Sequence, residues 1–114
     1  MSAISIKTAL PGPKASAIIE QDHTYLSTSR YRMYPFVLAR GEGCYVEDVD
    51  GNMFMDLHSG IAVTSTGHNH PEVNAAIAAQ ATRYLHNCGN VFYNDSQGAY
   101  AQKLAEATPI YKSD

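Results

Sequence analysis

Three histidines in the middle of the sequence are of a type and spacing that could bind a metal ion. His68 and His70 flank Asn69, and His58 lies upstream; imidazole nitrogens placed in this way could converge on one ion. No cysteine or carboxylate completes a recognisable zinc spacing, and the run ends at Pro71, a residue that suits the first turn of a helix. We therefore interpret these histidines as turn and helix-cap residues and predict no metal site.

The acidic stretch from residue 47 to residue 56 could in principle bind calcium, because carboxylate and amide oxygens are calcium ligands. Its oxygen-bearing side chains are those of Glu47, Asp48, Asp50, Asn52 and Asp56. They lack the D-x-D-x-D-G register and the glutamate at position twelve that define a calcium-binding loop. The Asp50-Gly51 pair instead favours a hairpin, since glycine accepts a positive φ. We predict a solvated hairpin turn.

Composition and charge exclude several classes of function. The 114 residues carry a formal net charge of -3 and only eight lysines and arginines, which leaves no basic face for nucleic acid. No apolar run reaches the 18 or so residues that a membrane span needs. Cys44 and Cys88 are too few for a disulfide framework, and a nucleophilic role for Cys88 beside His86 is less favoured than packing at a helix end. We expect a cytoplasmic protein with reduced thiols.

The hydrophobic pattern predicts three strands followed by two helices. Alternation of apolar and polar residues predicts strands at 35–40, 44–49 and 52–57, with a turn at 41–43 and a hairpin at 49–52. A helix is expected to begin at Pro71 and to continue to about residue 86, with Val73, Ile77, Tyr84 and Leu85 on its apolar side. A last helix should begin at Asp95 or Ser96 and end before Pro109.

The remaining segments are predicted from turn and breaker residues. Pro13 should open a short N-terminal helix after a loose arm formed by residues 1–10. Residues 58–67 and 90–94 are expected to be extended links. The arm and the second link have no evident partner within the sequence, which indicates a piece of something larger.

A family resemblance covers nearly the whole chain, from about Pro11 to Pro109. It is carried by PGPKASAIIEQD, then GEGCYVEDVDGNMFMDLHSGIAVTSTGHNHPEV, then IAAQATRYLHN and NVFYN, in that order and spacing. Together these motifs resemble the start of the class III pyridoxal-phosphate aminotransferases, the group that holds 4-aminobutyrate, ornithine and acetylornithine aminotransferases. The resemblance implies an α/β enzyme, a dimer of the type I aminotransferase fold, with a large domain that binds the cofactor and a smaller domain.

Within that fold, the resemblance assigns this chain to the N-terminal part of the small domain, an α+β fragment with a β-meander or hairpin and amphipathic helices. Residues 1–34 would be an N-terminal arm and helix. Residues 35–114 would be the small-domain segment that leads into the pyridoxal-phosphate-binding large domain. Gly67, His68 and Pro71 match a GHxHP turn, which we interpret as architectural.

The resemblance also implies which residues contact the substrate. Ile61 matches a family residue that packs on the substrate beside the cofactor, and Asn90 and Phe92 fall in a link that lines the same entrance. Gly60 would be there because a side chain would obstruct the pocket. No catalytic, cofactor-binding or metal-binding residue is assigned to this chain, because its lysines, Lys7, Lys14, Lys103 and Lys112, do not resemble the family's cofactor lysine. Pyridoxal 5'-phosphate would be bound by residues beyond this chain.

The implied reaction moves an amino group from an ω-amino acid, such as 4-aminobutyrate or ornithine, to a 2-oxo acid. The chain by itself is predicted to be inactive. Two alternatives stay open: a non-catalytic remnant that binds a protein partner, and a pyridoxal-dependent amino-acid racemase of the same family. A homodimer is expected for the full-length enzyme, with no nucleic-acid or membrane partner.

Overall fold

The structure, a computed structural model, describes residues 3–108. Its elements are α1 (Pro13–Tyr25), β1 (Leu38–Glu42), β2 (Tyr45–Asp48), β3 (Met53–Met55), α2 (Ser59–Ala62), α3 (Pro71–Ala81) and α4 (Asp95–Ala107). The chain divides into two compact units, Met1–Ala75 and Ala76–Asp114. Within residues 3–108, no helix combines the length and the apolar character needed to cross a membrane.

The first unit is built on an antiparallel sheet with the strand order β1-β2-β3. Tyr45 pairs with both Glu42 and Met55, so β2 is the central strand. The predicted meander is therefore confirmed. The prediction of a turn at 41–43 was wrong in its placement, because Gly41 and Glu42 continue β1 and the chain reverses at Gly43, whose φ is +58°.

The β2–β3 hairpin is confirmed, with Gly51 at a φ of +83°. The prediction that its polar side chains are solvated was wrong. Asn52 is fully buried and Asp48 is 3% exposed. Asn52 Nδ2 donates to Asp48 Oδ2 at 2.7 Å, and Asn52 N donates to Asp48 Oδ1 at 2.8 Å. Burial of Asp48 would raise its pKa, but these bonds and those of the neighbouring turn residues outweigh burial and lower it.

The N-terminal arm is docked on this hairpin, contrary to the prediction of a loose arm. Ser5 forms a two-way backbone bridge with Met53. Asn52 Oδ1 accepts from the backbone N–H groups of Lys7 at 2.7 Å and Thr8 at 3.0 Å. One buried amide therefore satisfies two donors of the arm, which a composition-based reading of the arm could not show.

The hairpin also caps α1. Asp50 Oδ1 and Oδ2 accept from the N–H groups of Lys14 and Ala15, both at 2.9 Å, so a side chain from 35 residues along the chain supplies the N-cap. A Cβ on Gly12 would overlap the Asp50 carboxyl group. Glycine at position 12 thus permits this close approach of helix and hairpin.

The hydrophobic core of the described residues is small. Its buried apolar side chains are those of Ala15 and Val46, and Phe36 and Phe54 form an edge-to-face pair with ring centroids 5.1 Å apart. In the second unit, α4 is capped by Asn94, whose Oδ1 accepts from Ser96 N and Gln97 N. Its apolar side chains are exposed.

The predicted length of α3 and the predicted conformation of residues 90–94 were wrong. The helix α3 ends at Ala81, so Tyr84 and Leu85 lie outside it, and Leu85 is 88% exposed. Residues 90–94 are not extended: Val91 N and Phe92 N both donate to Cys88 O, which closes a turn. At α3 the apolar spacing continues past the last helical residue, so spacing alone overestimated the length of this helix.

Candidate functional site

The segment Ser59–Ala62, which we call the left-handed turn, has an unusual backbone. Its four residues have φ values of 52°, 60°, 62° and 62° in order, close to the ideal left-handed helical value. Backbone bonds from Ile61 and Ala62 to His58 O, and from Val63 and Thr64 to Ser59 O, close it as one turn of helix. The prediction of an extended run over residues 58–67 was therefore wrong.

This conformation opposes the intrinsic preference of its residues. Left-handed helical geometry costs about 1–2 kcal/mol for each L-residue other than glycine, so Ser59, Ile61 and Ala62 together oppose it by about 3–6 kcal/mol. Ile61 is the least expected of these, because a β-branched residue at positive φ is a genuine outlier. Strain of this kind persists only where surrounding contacts fix the backbone.

The carboxylate of Asp56 provides the first of these contacts. Its Oδ1 accepts from His58 N and Ser59 N, both at 2.8 Å, and fixes the entry into the left-handed turn. His58 Nδ1 then accepts from Ile61 N at 3.2 Å. Two side chains from just before the turn thus bond to the N–H groups of its first and third residues.

The second oxygen of Asp56 bonds to the ring of His68. Asp56 Oδ2 lies 2.7 Å from His68 Nε2, and the two side chains are only 15% and 18% exposed. The bond from His68, followed by those from Ser59 N and His58 N, lowers the pKa of Asp56 to about 2. The carboxylate is therefore ionised at every pH near neutrality and keeps its acceptor capacity.

His68 is itself held by the sheet. Its N–H donates to Gly43 O at 2.8 Å, and Gly43 N donates to His68 O at 3.0 Å. The His68 ring lies against Gly41, where a Cβ would be 2.7 Å from its Cγ atom. Asn69 Nδ2 donates to Gly41 O at 2.6 Å. These contacts give the GHxHP residues an architectural role in the described structure.

The four predicted substrate-binding residues lie in two separate turns. Gly60 and Ile61 occupy adjacent positions in the left-handed turn, and the Ile61 side chain is 80% exposed. Asn90 and Phe92 lie in the turn that precedes α4, with Phe92 65% exposed. The first pair belongs to the unit Met1–Ala75 and the second to Ala76–Asp114. Convergence of all four on one pocket stays a prediction.

The structure shows one physical reason for glycine at position 60. A Cβ there would meet Val63 Cβ at 3.8 Å, an ordinary contact, so space within this chain does not require glycine. The positive φ favours glycine, because glycine adopts it without the cost that Ser59, Ile61 and Ala62 bear in the same turn. That Gly60 also leaves room for the substrate stays a prediction. Asp56 was considered in the sequence only as a possible calcium ligand, and the left-handed turn was not predicted. The available signal was the Ser59-Gly60 pair in HSGIA, which alone does not specify a left-handed turn.

Two of the three histidines first considered as metal ligands form hydrogen bonds through their rings: His58 Nδ1 with Ile61 N, and His68 Nε2 with Asp56 Oδ2. Within residues 3–108, no three His, Cys, Asp or Glu side chains are grouped so that they could hold an ion. The left-handed turn therefore presents an exposed apolar side chain, that of Ile61, on a constrained backbone.

Comparison with solved structures defines the class of protein. The chain superposes on acetylornithine aminotransferase from Elizabethkingia anophelis with a TM-score of 0.78 and 32% sequence identity, over 86% of this chain and 25% of that one. The described helices and three-stranded sheet therefore have the fold of a segment of an aminotransferase.

Comparison of sequences gives the family. The family model for class III aminotransferases matches residues 26–113, so the chain belongs to that family. It is 38% identical over 104 residues to the alanine/serine racemase of Pyrococcus horikoshii, covering 90% of this chain and 22% of that protein. It is 37% identical over 102 residues to the 4-aminobutyrate aminotransferase of Mycobacterium tuberculosis, covering 90% and 23%. The chain thus spans about a quarter or less of the length of these relatives.

Class III aminotransferases depend on pyridoxal phosphate, but the described residues do not fit that cofactor. A phosphate group binds well at a helix N-terminus when its N–H groups are free. Here the carboxylate of Asp50 occupies the N-terminus of α1, and Glu72 and Asp95 lie in the first turns of α3 and α4. These negative charges would repel a phosphate.

Proposed function

We propose that this chain is the N-terminal segment of a pyridoxal-phosphate-dependent transaminase that moves an amino group from an ω-amino acid to a 2-oxo acid. Its membership of the class III aminotransferases supports this proposal, as does its 37% identity to a 4-aminobutyrate aminotransferase. The cofactor lysine and the phosphate-binding residues would lie in a part of the enzyme outside this chain.

The proposed place of the chain in the enzyme is the small domain. Residues 1–34 would form the arm and first helix, and residues 35–114 the segment that leads into the large domain. The small buried core supports this arrangement, because side chains such as Leu57 and Leu85, 89% and 88% exposed, need a covering partner. That partner would be the remainder of the enzyme and the second subunit of a homodimer.

The proposed substrate contacts are those of Ile61 and Gly60 in the left-handed turn and of Asn90 and Phe92 in the turn before α4. One observation carries this proposal: Ile61 is an apolar, β-branched residue held in a strained conformation while its side chain is 80% exposed. Such strain clusters at ligand-binding positions. An aliphatic side chain in this position would contact the methylene groups of an amino acid through van der Waals packing and exclude water from them.

A second candidate function is amino-acid racemisation. The 38% identity to an alanine/serine racemase over 90% of this chain favours it specifically. Both reactions would use the same cofactor, and the apolar contact made by Ile61 suits either substrate. The two candidates differ in their products, which gives a direct test.

The test uses the full-length enzyme with bound pyridoxal phosphate. It is incubated with 4-aminobutyrate, ornithine or N-acetylornithine and 2-oxoglutarate, and glutamate formation is measured. In parallel, L-alanine and L-serine are supplied without a 2-oxo acid, and the D-enantiomers are quantified. Glutamate formation with an ω-amino donor supports the proposal, whereas D-amino acid formation without glutamate selects the racemase.

A second experiment tests the assignment of the cofactor site to other parts of the enzyme. The 114-residue chain is incubated with pyridoxal phosphate and dialysed, and its visible absorption spectrum is recorded. We expect no Schiff-base band to remain, because Lys7, Lys14 and Lys103 have no phosphate-binding helix N-terminus among the described residues. A band that survives dialysis would contradict the proposed division of roles.

A further inference from the structure

We propose that Asp56 and His68 are positioning residues that hold the left-handed turn so that Ile61 contacts the substrate. This inference rests on the proposed function of Ile61 as a substrate contact. Neither side chain is assigned a contact with the substrate itself. Their role is to fix the backbone from which the Ile61 side chain projects.

Asp56 suits this role because its two carboxylate oxygens bond in different directions. Oδ1 accepts from the N–H groups of His58 and Ser59, where the left-handed turn begins, and Oδ2 bonds to His68 Nε2 at 2.7 Å. A carboxylate can accept from several donors at once, and charge-assisted bonds are stronger than neutral ones. Asp56 therefore links the start of the turn to a residue twelve positions further along the chain.

His68 gives that link a fixed anchor. Its backbone exchanges two hydrogen bonds with Gly43, at 2.8 and 3.0 Å, beside the end of β1, and its ring lies against Gly41 within β1. The ring cannot shift toward β1 without colliding with its backbone. The Asp56 carboxylate is thereby held in a fixed position relative to the antiparallel sheet, the most regular element of this unit.

The hydrogen bonds of Asp56 and His58 hold the left-handed turn in a conformation that the stability of the chain does not require. The Ile61 side chain is 80% exposed and the neighbouring Val63 is 79% exposed, so burial of apolar surface in the turn offsets little of its strain. The structure therefore fixes the direction of a side chain whose contact lies outside this chain, which is the requirement for a preorganised substrate contact.

The test is a double-mutant cycle in the full-length holoenzyme. Asp56→Ala, Ile61→Ala and the double variant are compared for kcat/KM of the amino donor. A small misplacement of a substrate-contacting group can lower the rate on the order of a hundredfold, and we expect Asp56→Ala to lower kcat/KM by on the order of tenfold to a hundredfold. In the Ile61→Ala background the same change should have little further effect, because the group being positioned is gone.

Two further variants separate positioning from general destabilisation. Asp56→Asn retains an oxygen that accepts from both backbone N–H groups and an amide that can donate to the His68 ring, so it should restore most of the lost kcat/KM. Asp50→Ala removes a carboxylate that caps α1 in the same unit but does not bond to the left-handed turn. It should keep kcat/KM near the parent value. If Asp56→Ala does not fold, His68→Ala replaces it in the cycle.

The outcomes are distinguishable. Non-additive losses with rescue by Asp56→Asn support the inference. Fully additive losses, or an equal loss of kcat/KM in Asp50→Ala, overturn it while leaving the substrate contact of Ile61 in place. A parent-like kcat/KM for Ile61→Ala itself would overturn both this inference and the proposed substrate contact.

Discussion

The substitution Asn52→Asp tests the buried hydrogen bonds of the Asn52 side chain, which join the N-terminal arm to the hairpin. Asn52 Nδ2 donates to Asp48 Oδ2 at 2.7 Å, and both side chains are buried. Aspartate has the same shape as asparagine, and its Oδ1 would still accept from Lys7 N and Thr8 N. Its second oxygen, however, would face Asp48 with a negative charge in place of a donor.

The expected cost follows from the distance between the charges. Two like charges about 4 Å apart repel each other by about 4 kcal/mol at an effective dielectric constant of about 20. The unfolded chain does not bear this cost because the two carboxylates are then solvated. We therefore expect the free energy of unfolding at pH 8 to fall by about 4 kcal/mol relative to the parent.

The stability deficit of Asn52→Asp should also depend on pH, in a direction set by the pKa of the carboxylate pair. Two adjacent buried carboxylates share a proton, so the folded state of Asn52→Asp has a raised pKa for the pair relative to the unfolded state. The stability deficit is then full at high pH and shrinks as the pH is lowered and the pair takes up its proton. Urea unfolding followed by circular dichroism at pH 8 and pH 5 measures it.

The control is Asn87→Asp, at a site where the side chain makes one exposed hydrogen bond to Phe92 O at 3.3 Å. It introduces the same charge without a buried neighbour and should change stability little at either pH. Equal deficits for Asn52→Asp at the two pH values, or no deficit at pH 8, would refute the buried contact between Asn52 and Asp48.

Two further predictions concern Gly12 and Asp56. Gly12→Ala places a methyl group into the Asp50 carboxyl and should reduce the free energy of unfolding by about 1–3 kcal/mol. The control Gly98→Ala in α4, where a Cβ meets nothing within 4 Å, should raise it by up to about 1 kcal/mol. Thermal unfolding compares the two variants, and equal effects would contradict the close contact between Gly12 and the Asp50 cap. Because the pKa of Asp56 is lowered from 3.8 to about 2, its contribution to stability should be complete above pH 3.8 and decline as the pH falls toward 2. Asp56→Asn should remove that part of the acid dependence of the free energy of unfolding, and an unchanged acid profile would contradict it.

The regular elements were predictable because their signals are local. Alternation over residues 44–57 and the Asp50-Gly51 pair correctly predicted the β2–β3 hairpin, and the start of α4 beside Asn94 follows from cap preference. Helix α3 began as expected at Pro71 but ended at Ala81. The apolar spacing that continues to Leu85 reflects surface the described chain leaves exposed, so periodicity could not locate the end of the helix.

The long-range polar contacts were not predictable from the sequence. The Asp50 cap on α1 and the Asn52 bonds to the arm join residues 35 to 45 positions apart, and short polar side chains in a turn usually face solvent. The left-handed turn was missed for a related reason: Ile61 opposes this conformation, and only the bonds of Asp56 and His58 make it possible. Local propensity and the folded structure disagree at the position proposed to contact substrate, as is expected of functional sites.

A crystal structure of the full-length protein with pyridoxal phosphate and an unreactive amino-acid analogue would show directly whether Ile61 contacts the substrate. We expect Ile61 to remain in the left-handed turn with positive φ and its side-chain carbons to lie within about 4 Å of the bound analogue. An Ile61 side chain buried against another part of the protein and away from the ligand would contradict the account.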